Sequence, residues 1–142
     1  MKEYKYKNLT SLEAEKKCKE LFIENYIKDK NNNRIIIKTL NNEKVIFEEK
    51  AFSHAFSYRN KILNIEDFSY QRARRVLWIK EILIGNNSSA IRKDIGKDVF
   101  YYDKSENYLI YLKKLKSGNL LFITHYVVKS DKKLKWIKKK II

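Results

Sequence analysis

Three runs in the C-terminal half decide the fold class: Val99-Phe100-Tyr101-Tyr102, Asn107 to Leu115, and Leu120-Leu121-Phe122-Ile123-Thr124-His125-Tyr126-Val127-Val128. Each is rich in β-branched and aromatic residues, and only short polar joints separate them, the second being Ser117-Gly118-Asn119. Runs of this kind at this spacing predict a meander of antiparallel strands. Side chains alternate along a strand. The last run therefore places Leu120, Phe122, Thr124, Tyr126 and Val128 on one face and Leu121, Ile123, His125 and Val127 on the other. Thr124 and Tyr126 point together as two mid-strand hydroxyls, and His125 points away from them unless a bulge intervenes.

Upstream of the meander, Phe68 to Ile84 predicts a long helix capped by Glu66 or Asp67, with Gly85 at its left-handed end. Its interior carries Arg72, Arg74 and Arg75 among apolar residues. Gly85 to Gly96 is polar and reads as a loop. Ala51 to Asn64 is aromatic, carries His54, and suggests a helical turn or short helix. Before it, Arg34 to Leu40 and Lys44 to Glu48 flank Asn41-Asn42, the pattern of a β-hairpin. Near the N-terminus, Thr10 and Glu13 have capping-box spacing. Leu12, Cys18, Leu21, Phe22 and Ile27 then recur at helical spacings to about Lys28. Residues 1–10 read as a flexible lead, and Lys129 to Ile142 as a small docking helix or a basic arm. The expected class is α+β: a largely antiparallel sheet with helices packed on one face, preceded by an N-terminal helix and a hairpin. No repeat or linker divides the chain, so residues 1–142 are read as a single domain.

Composition narrows the function. The 142 residues contain 32 Lys and Arg against 17 Asp and Glu, a formal charge of +15. The segment 129–142 alone holds seven Lys and one Asp, a surplus of six positive charges. Such an excess attracts polyanions, nucleic acid first and anionic membrane second. A Lys-, Asn- and Ile-rich chain also fits an AT-rich genome, in which case charge reports no specific task. Cys18 is the only cysteine, which excludes an intrachain disulfide, and with two histidines there is no zinc finger. No run approaches the ~20 apolar residues of a membrane span. The first residues lack the apolar core of a secretory signal. The expected location is cytoplasmic, or the cytosol of another cell if the protein is carried there.

The inventory of chemistry is short. A Gly-rich phosphate loop, paired metal-ligand spacing and a nucleophile elbow are all missing. Glu48-Glu49 and Glu66-Asp67 read as a strand end and a helix start. The two histidines are the only side chains whose unperturbed pKa lies near neutrality. His54 is either a proton-transfer group or a partly buried ring with a satisfied hydrogen bond. Arg72 and Arg75 sit on neighbouring rows of the expected helix. There they offer two guanidiniums at the sheet's rim for phosphate, or they serve structural ion pairs.

Three segments in order resemble the phage-associated nucleases of the barnase–EndoU–colicin–RelE class. Phe52-Ser53-His54-Ala55-Phe56 looks like that family's His-bearing segment. Arg72-Ala73-Arg74-Arg75-Val76-Leu77-Trp78-Ile79-Lys80-Glu81-Ile82-Leu83 looks like its paired-Arg helix, and Phe122-Ile123-Thr124-His125-Tyr126 like its closing strand with Thr-x-Tyr. A proline usually follows the Arg helix, where this chain has Gly85-Asn86-Asn87. The residue between Thr and Tyr is usually small, so no catalytic role is carried to His125. The resemblance implies a metal-independent, cofactor-free endoribonuclease. In that reading His54 moves a proton, Arg72 and Arg75 stabilise charge on the phosphoryl oxygens, and Thr124 and Tyr126 bond the phosphate or position the base. Tyr58, Arg59, Arg74 and Trp136 are the expected RNA-binding residues, with Tyr58 and Trp136 available to stack a base or simply to pack. The implied partners are RNA, with tRNA a plausible target, and an acidic immunity or antitoxin protein; the implied role is a toxin or phage effector. Two other readings stay open: a non-catalytic nucleic-acid-binding module on the same scaffold, and a phage-associated interaction protein.

Overall fold

A computed structural model describes residues 1–86 and 89–142. Helix α1 (Ser11–Phe22) opens on the expected capping box: the Thr10 hydroxyl accepts from Glu13 N–H, and the Glu13 carboxylate accepts from Thr10 N–H. The chain widens into one π-helical turn at Ile23–Ile27. Ala14, Cys18, Leu21, Phe22, Tyr26 and Ile27 are buried. Leu12, expected on this apolar stripe, is instead 77% exposed. Phe22 is the hub of the core. Its ring centroid lies 5.5 Å from those of Tyr26 and Phe56, 6.0 Å from Phe52, and 6.2 Å from Phe47 and Phe122.

The hairpin forms as β1 (Ile37–Lys38) and β2 (Lys44–Ile46), with Asn42 at φ 64° in the turn. The meander is β6 (Asp98–Asp103), β7 (Tyr108–Lys114) and β8 (Leu120–Val127). Ahead of it, Ala90–Ile95 is strand β5, where a loop was expected from Gly85 to Gly96; residues 87 and 88 of that segment lie outside the described residues. Charged Arg92, Lys93 and Asp94 between Ile91 and Ile95 conceal the strand from sequence reading, as edge strands often do. The six strands run in the order β1-β2-β8-β7-β6-β5. Every pair is antiparallel except β2 with β8, where Val45 opposes Leu120. The chain is thus α+β with a largely antiparallel sheet, and the hairpin belongs to the sheet.

After a 3-10 turn at Glu49–Ala51 and α2 (Phe52–Ala55), a second hairpin forms: β3 (Ser57–Asn60) and β4 (Ile65–Phe68). The expected short helix is present, but it ends at Ala55. Asn60 organises the hairpin loop: its Oδ1 accepts from Ile62 and Leu63 N–H, and its Nδ2 donates to Asp67. Glu66 and Asp67 are therefore strand residues, and Ser69 is the actual cap, accepting from Arg72 N–H.

The long helix expected over Phe68–Ile84 is broken into α3 (Tyr70–Ala73) and α4 (Trp78–Leu83). The cause is competition for carbonyls. Tyr6 Oη donates to Ala73 O, Tyr4 N–H donates to Arg74 O, and Tyr26 Oη donates to Val76 O. Tyr26 Oη also accepts from Lys80 N–H, so one phenol stands where a helical i→i+4 bond would run. Residues 1–10, expected as a flexible lead, are tied down by the same contacts, with Tyr6 buried and Lys2 O accepting from Trp78 Nε1. Gly85 does end α4, at φ 86°.

Helices α1 to α4 pack on one face of the sheet. The tail forms α5 (Asp131–Lys140), capped by Ser130, which docks on the opposite face: Ile137 and Ile141 meet Phe100, Tyr102, Leu109 and Val128. Between β7 and β8 the register slips. Tyr111 opposes Thr124 while Leu112 opposes Phe122, so Ile123 is an extra residue, a β-bulge. The bulge breaks the expected alternation. Phe122 shares a face with His125, their rings 6.1 Å apart, while Thr124 and Tyr126 face the other side.

Candidate functional site

Strand β2 pairs with β8 only at Leu120 and Leu121, so among the described residues the rest of β8 has no strand neighbour on that side. Side chains of α3 fill the vacancy. Gln71 Oε1 accepts from Val127 N–H at 3.4 Å. Arg72 Nη1 donates to Thr124 Oγ1 at 3.3 Å and to the carbonyls of His54 and Ala55 at 3.3 and 3.4 Å. Its guanidinium lies 5.2 Å from the Tyr126 ring centroid. One cation thus joins three elements: α2 through its main chain, α3, and β8 through a hydroxyl and an aromatic ring. Burial lowers the Arg72 pKa, opposed by nearby Tyr126 and Glu66, and raises that of the Tyr126 phenol. The phenol therefore stays protonated at neutral pH.

Arg72 and Tyr126 open into a cleft of about 370 Å³ lined also by Tyr58, Tyr70, Gln71 and Lys129. Tyr58 and Tyr70 are 47% and 43% exposed, so two aromatic faces are accessible beside fixed positive charge. A larger hollow of about 770 Å³ lies between α1 and the β3–β4 hairpin, with Leu12, Phe52 and Phe68 among its walls and Glu13, Glu15, Lys16 and Lys19 about it. Its charge is mixed and it contains neither Arg72 nor Tyr126. The smaller cleft is therefore the better candidate for an anionic ligand.

The expected residues divide. Arg72, Thr124 and Tyr126 come together, and Tyr58 joins them across the cleft. His54 reaches the group through its backbone carbonyl. Its imidazole is 64% exposed and turns Nδ1 toward Glu66 Oε1 at 3.4 Å. Arg75 is engaged elsewhere: it pairs with Glu3 at 2.9 Å, donates to Gln71 O at 2.6 Å, and stacks on Trp78 at 4.9 Å. The break after α3 separates it from Arg72. Arg74 lies over Tyr70 at 5.6 Å, and Arg59 bonds Asn64 in the hairpin. Trp136 is on α5, packed edge-on against Phe100 at 5.2 Å with Lys133 Nζ over its ring. It stands outside the cleft as a packing residue.

Sequence reading missed Tyr70, Gln71, Lys129 and Glu66. Lys129 had a signal, as the first lysine after the Thr-x-Tyr strand. Gln71 had none, because its partner is a backbone N–H exposed only by the short β2. His125 is fully buried. Its Nδ1 is 2.6 Å from Tyr108 Oη, and Phe56 stands 4.7 Å from its ring. Burial, with Arg72 and Arg75 adding positive field, holds its pKa well below the ordinary histidine value. Among the described residues no group of three or more His, Cys, Asp or Glu could hold a metal ion, and no helix is long and apolar enough to cross a membrane. Comparison with protein-family models, curated proteins and solved structures finds no match to this chain.

Proposed function

We propose that this protein is a metal-independent endoribonuclease acting as a toxin or phage effector in the cytoplasm, with the Arg72 cleft as its active site. One observation carries the reading: a single guanidinium bonded to the His54 segment and to Thr124, stacked on Tyr126, at the mouth of an aromatic and cationic cleft. The order of the three nuclease-like segments supports it independently. In the reaction the 2′-oxygen of RNA attacks the adjacent phosphorus, and the bond from phosphorus to the 5′-oxygen breaks. The products are a 2′,3′-cyclic phosphate and a free 5′-hydroxyl. His54 takes the proton of the attacking hydroxyl, with Glu66 orienting its ring. Arg72 meets the negative charge growing on the phosphoryl oxygens. The Tyr126 phenol donates a proton to the departing oxygen. Tyr58 and Tyr70 offer faces to flanking bases. An acidic immunity or antitoxin protein fits the charge of +15.

Incubating purified protein with RNA in EDTA tests this. The expected result is cleavage with cyclic phosphate ends, no cleavage of DNA, and loss of activity in His54→Ala with RNA affinity largely kept. Intact RNA across several RNA classes would refute it. The second reading, a binding module without catalysis, is favoured by Arg75, whose ties to Glu3 and Gln71 leave one guanidinium in the cleft. It predicts salt-steep binding with no cleavage and no need for His54.

A further inference from the structure

Seven lysines lie between residues 129 and 140, and Lys129 lines the cleft itself. From there the chain passes through the Ser130 cap directly into α5, so the helix starts at the cleft and leads away from it. Its apolar side is committed: Ile137 and Ile141 are buried, and Leu134 packs beside them. At 100° per residue, Lys132, Lys135 and Lys139 fall on the side opposite those residues, and all three are exposed. At 1.5 Å per residue the ridge they form runs for roughly 10 Å. Acidic residues do not interrupt it, since Asp131 is the only one in the segment and precedes the ridge. The burial of α5 on β6 and β7 holds the ridge in a fixed orientation.

We infer that α5 is a phosphate rail: its lysine ridge binds the backbone of the polynucleotide strand whose reacting or stacked nucleotides occupy the Arg72 cleft. The ligand class rests on the nucleic-acid reading of that cleft. Lysines bind phosphate as mobile point charges, so the rail adds affinity without base preference. A strand long enough to cover both sites gains over a dinucleotide that covers only the cleft.

The test is equilibrium binding of a labelled oligodeoxythymidine, which lacks the 2′-hydroxyl and stays intact, followed by fluorescence anisotropy from about 50 to about 400 mM salt. On single strands each neutralised phosphate contributes about 0.7 to the slope of log K against log salt. The combined variant Lys132→Gln, Lys135→Gln and Lys139→Gln should lower that slope by about 2, equivalent to roughly 100-fold weaker binding at 0.1 M salt if the two proteins bind equally at 1 M. The corresponding Lys→Arg variant should restore the slope, and circular dichroism confirms that α5 remains folded. Removing Lys28, Lys30 and Arg34, which precede the β1 edge of the sheet, takes away equal charge far from α5 and should cost little.

An unchanged slope in the Gln variant overturns the rail. So does an equal loss in the control variant, since the effect would then be one of net charge. A loss seen only with phosphatidylserine vesicles, oligonucleotide binding being unaffected, would assign the ridge to a lipid surface. Failure to cleave RNA in EDTA would sink the nuclease reading and leave this measurement intact, because it involves no cleavage.

Discussion

Protonation of His125 should limit stability below neutral pH: its burial sets the sign, and the pKa of the unfolded chain sets the size. The ring is fully buried against Phe56, Phe122 and Tyr108, with Arg72 and Arg75 as the nearby cations. Its folded pKa is well below the ordinary value. In the unfolded chain it titrates near 6.5. Above that pH neither state binds the proton, and the contribution is flat. Below it the unfolded chain takes up a proton that the folded chain refuses, so stability falls as pH falls, by about 1.4 kcal/mol per pH unit. Between pH 8 and pH 5 the loss is about 2 kcal/mol. The paired carboxylates Glu43 and Asp94, both lowered chiefly by their hydrogen bonds to Arg92, lose their contribution only at more acid pH. Urea unfolding across pH 5–8 should show this decline in wild type. It should be nearly absent in His125→Asn, which keeps an amide where Nδ1 meets Tyr108. Because the substitution also opens a cavity, the slope and not the absolute stability is the readout. Nuclear magnetic resonance gives a second check: the His125 ring proton of the folded protein should not titrate in this range. Parallel slopes in the two proteins, or a ring that titrates near 6.5 while folded, would refute the reasoning.

Other outcomes follow from the same contacts. Arg72→Lys keeps charge but loses the planar guanidinium whose Nη1 donates to the His54 and Ala55 carbonyls and Thr124 and which lies over the Tyr126 ring, so on the proposed ribonuclease reading cleavage should drop on the order of 100-fold in a single-turnover assay. Tyr26→Phe removes the phenol oxygen between Val76 O and Lys80 N–H and should cost about 1–3 kcal/mol in urea unfolding. Gly85→Ala forces a Cβ at φ 86° to within 2.7 Å of Leu40 side-chain atoms, and should lower stability by more than about 1 kcal/mol, read from the thermal midpoint. Thr10→Ala should cost about 1 kcal/mol in the same measurement by opening the capping box.

Features legible in the sequence were those whose causes are local. The capping box of α1, the Asn turn between β1 and β2, the Gly85 stop and the meander each rest on residues a few positions apart. The break in the arginine helix rests on Tyr4, Tyr6 and Tyr26, distant residues that outcompete the helix for its carbonyls. No helical periodicity could reveal that competition. Strand β5 was hidden by its charged interior, and β3–β4 by a loop built on the Asn60 side chain in place of a Gly turn. The site divides on the same principle. Thr124 and Tyr126 share a face because they are two residues apart. Arg72 and Arg75 parted because the helix that would have aligned them does not exist there. The position of Arg72 between α2 and β8 depends on β2 ending early, which only the assembled sheet decides.

The single surplus residue at Ile123 makes the place at which β8 changes length, more than side-chain identity, the sensitive variable. Removing Ile123 would restore strict alternation with Leu120 and Phe122 held inward. His125 would stay inward beside them and both hydroxyls would stay on the opposite face, because the residue lost is the one the partner strand leaves unpaired. Deleting His125 with the bulge retained would instead turn every residue after it to the other face, and should be far less tolerated than deleting Ile123. A library of single-codon deletions and replacements across residues 120–127, sorted for folded protein, would expose that asymmetry.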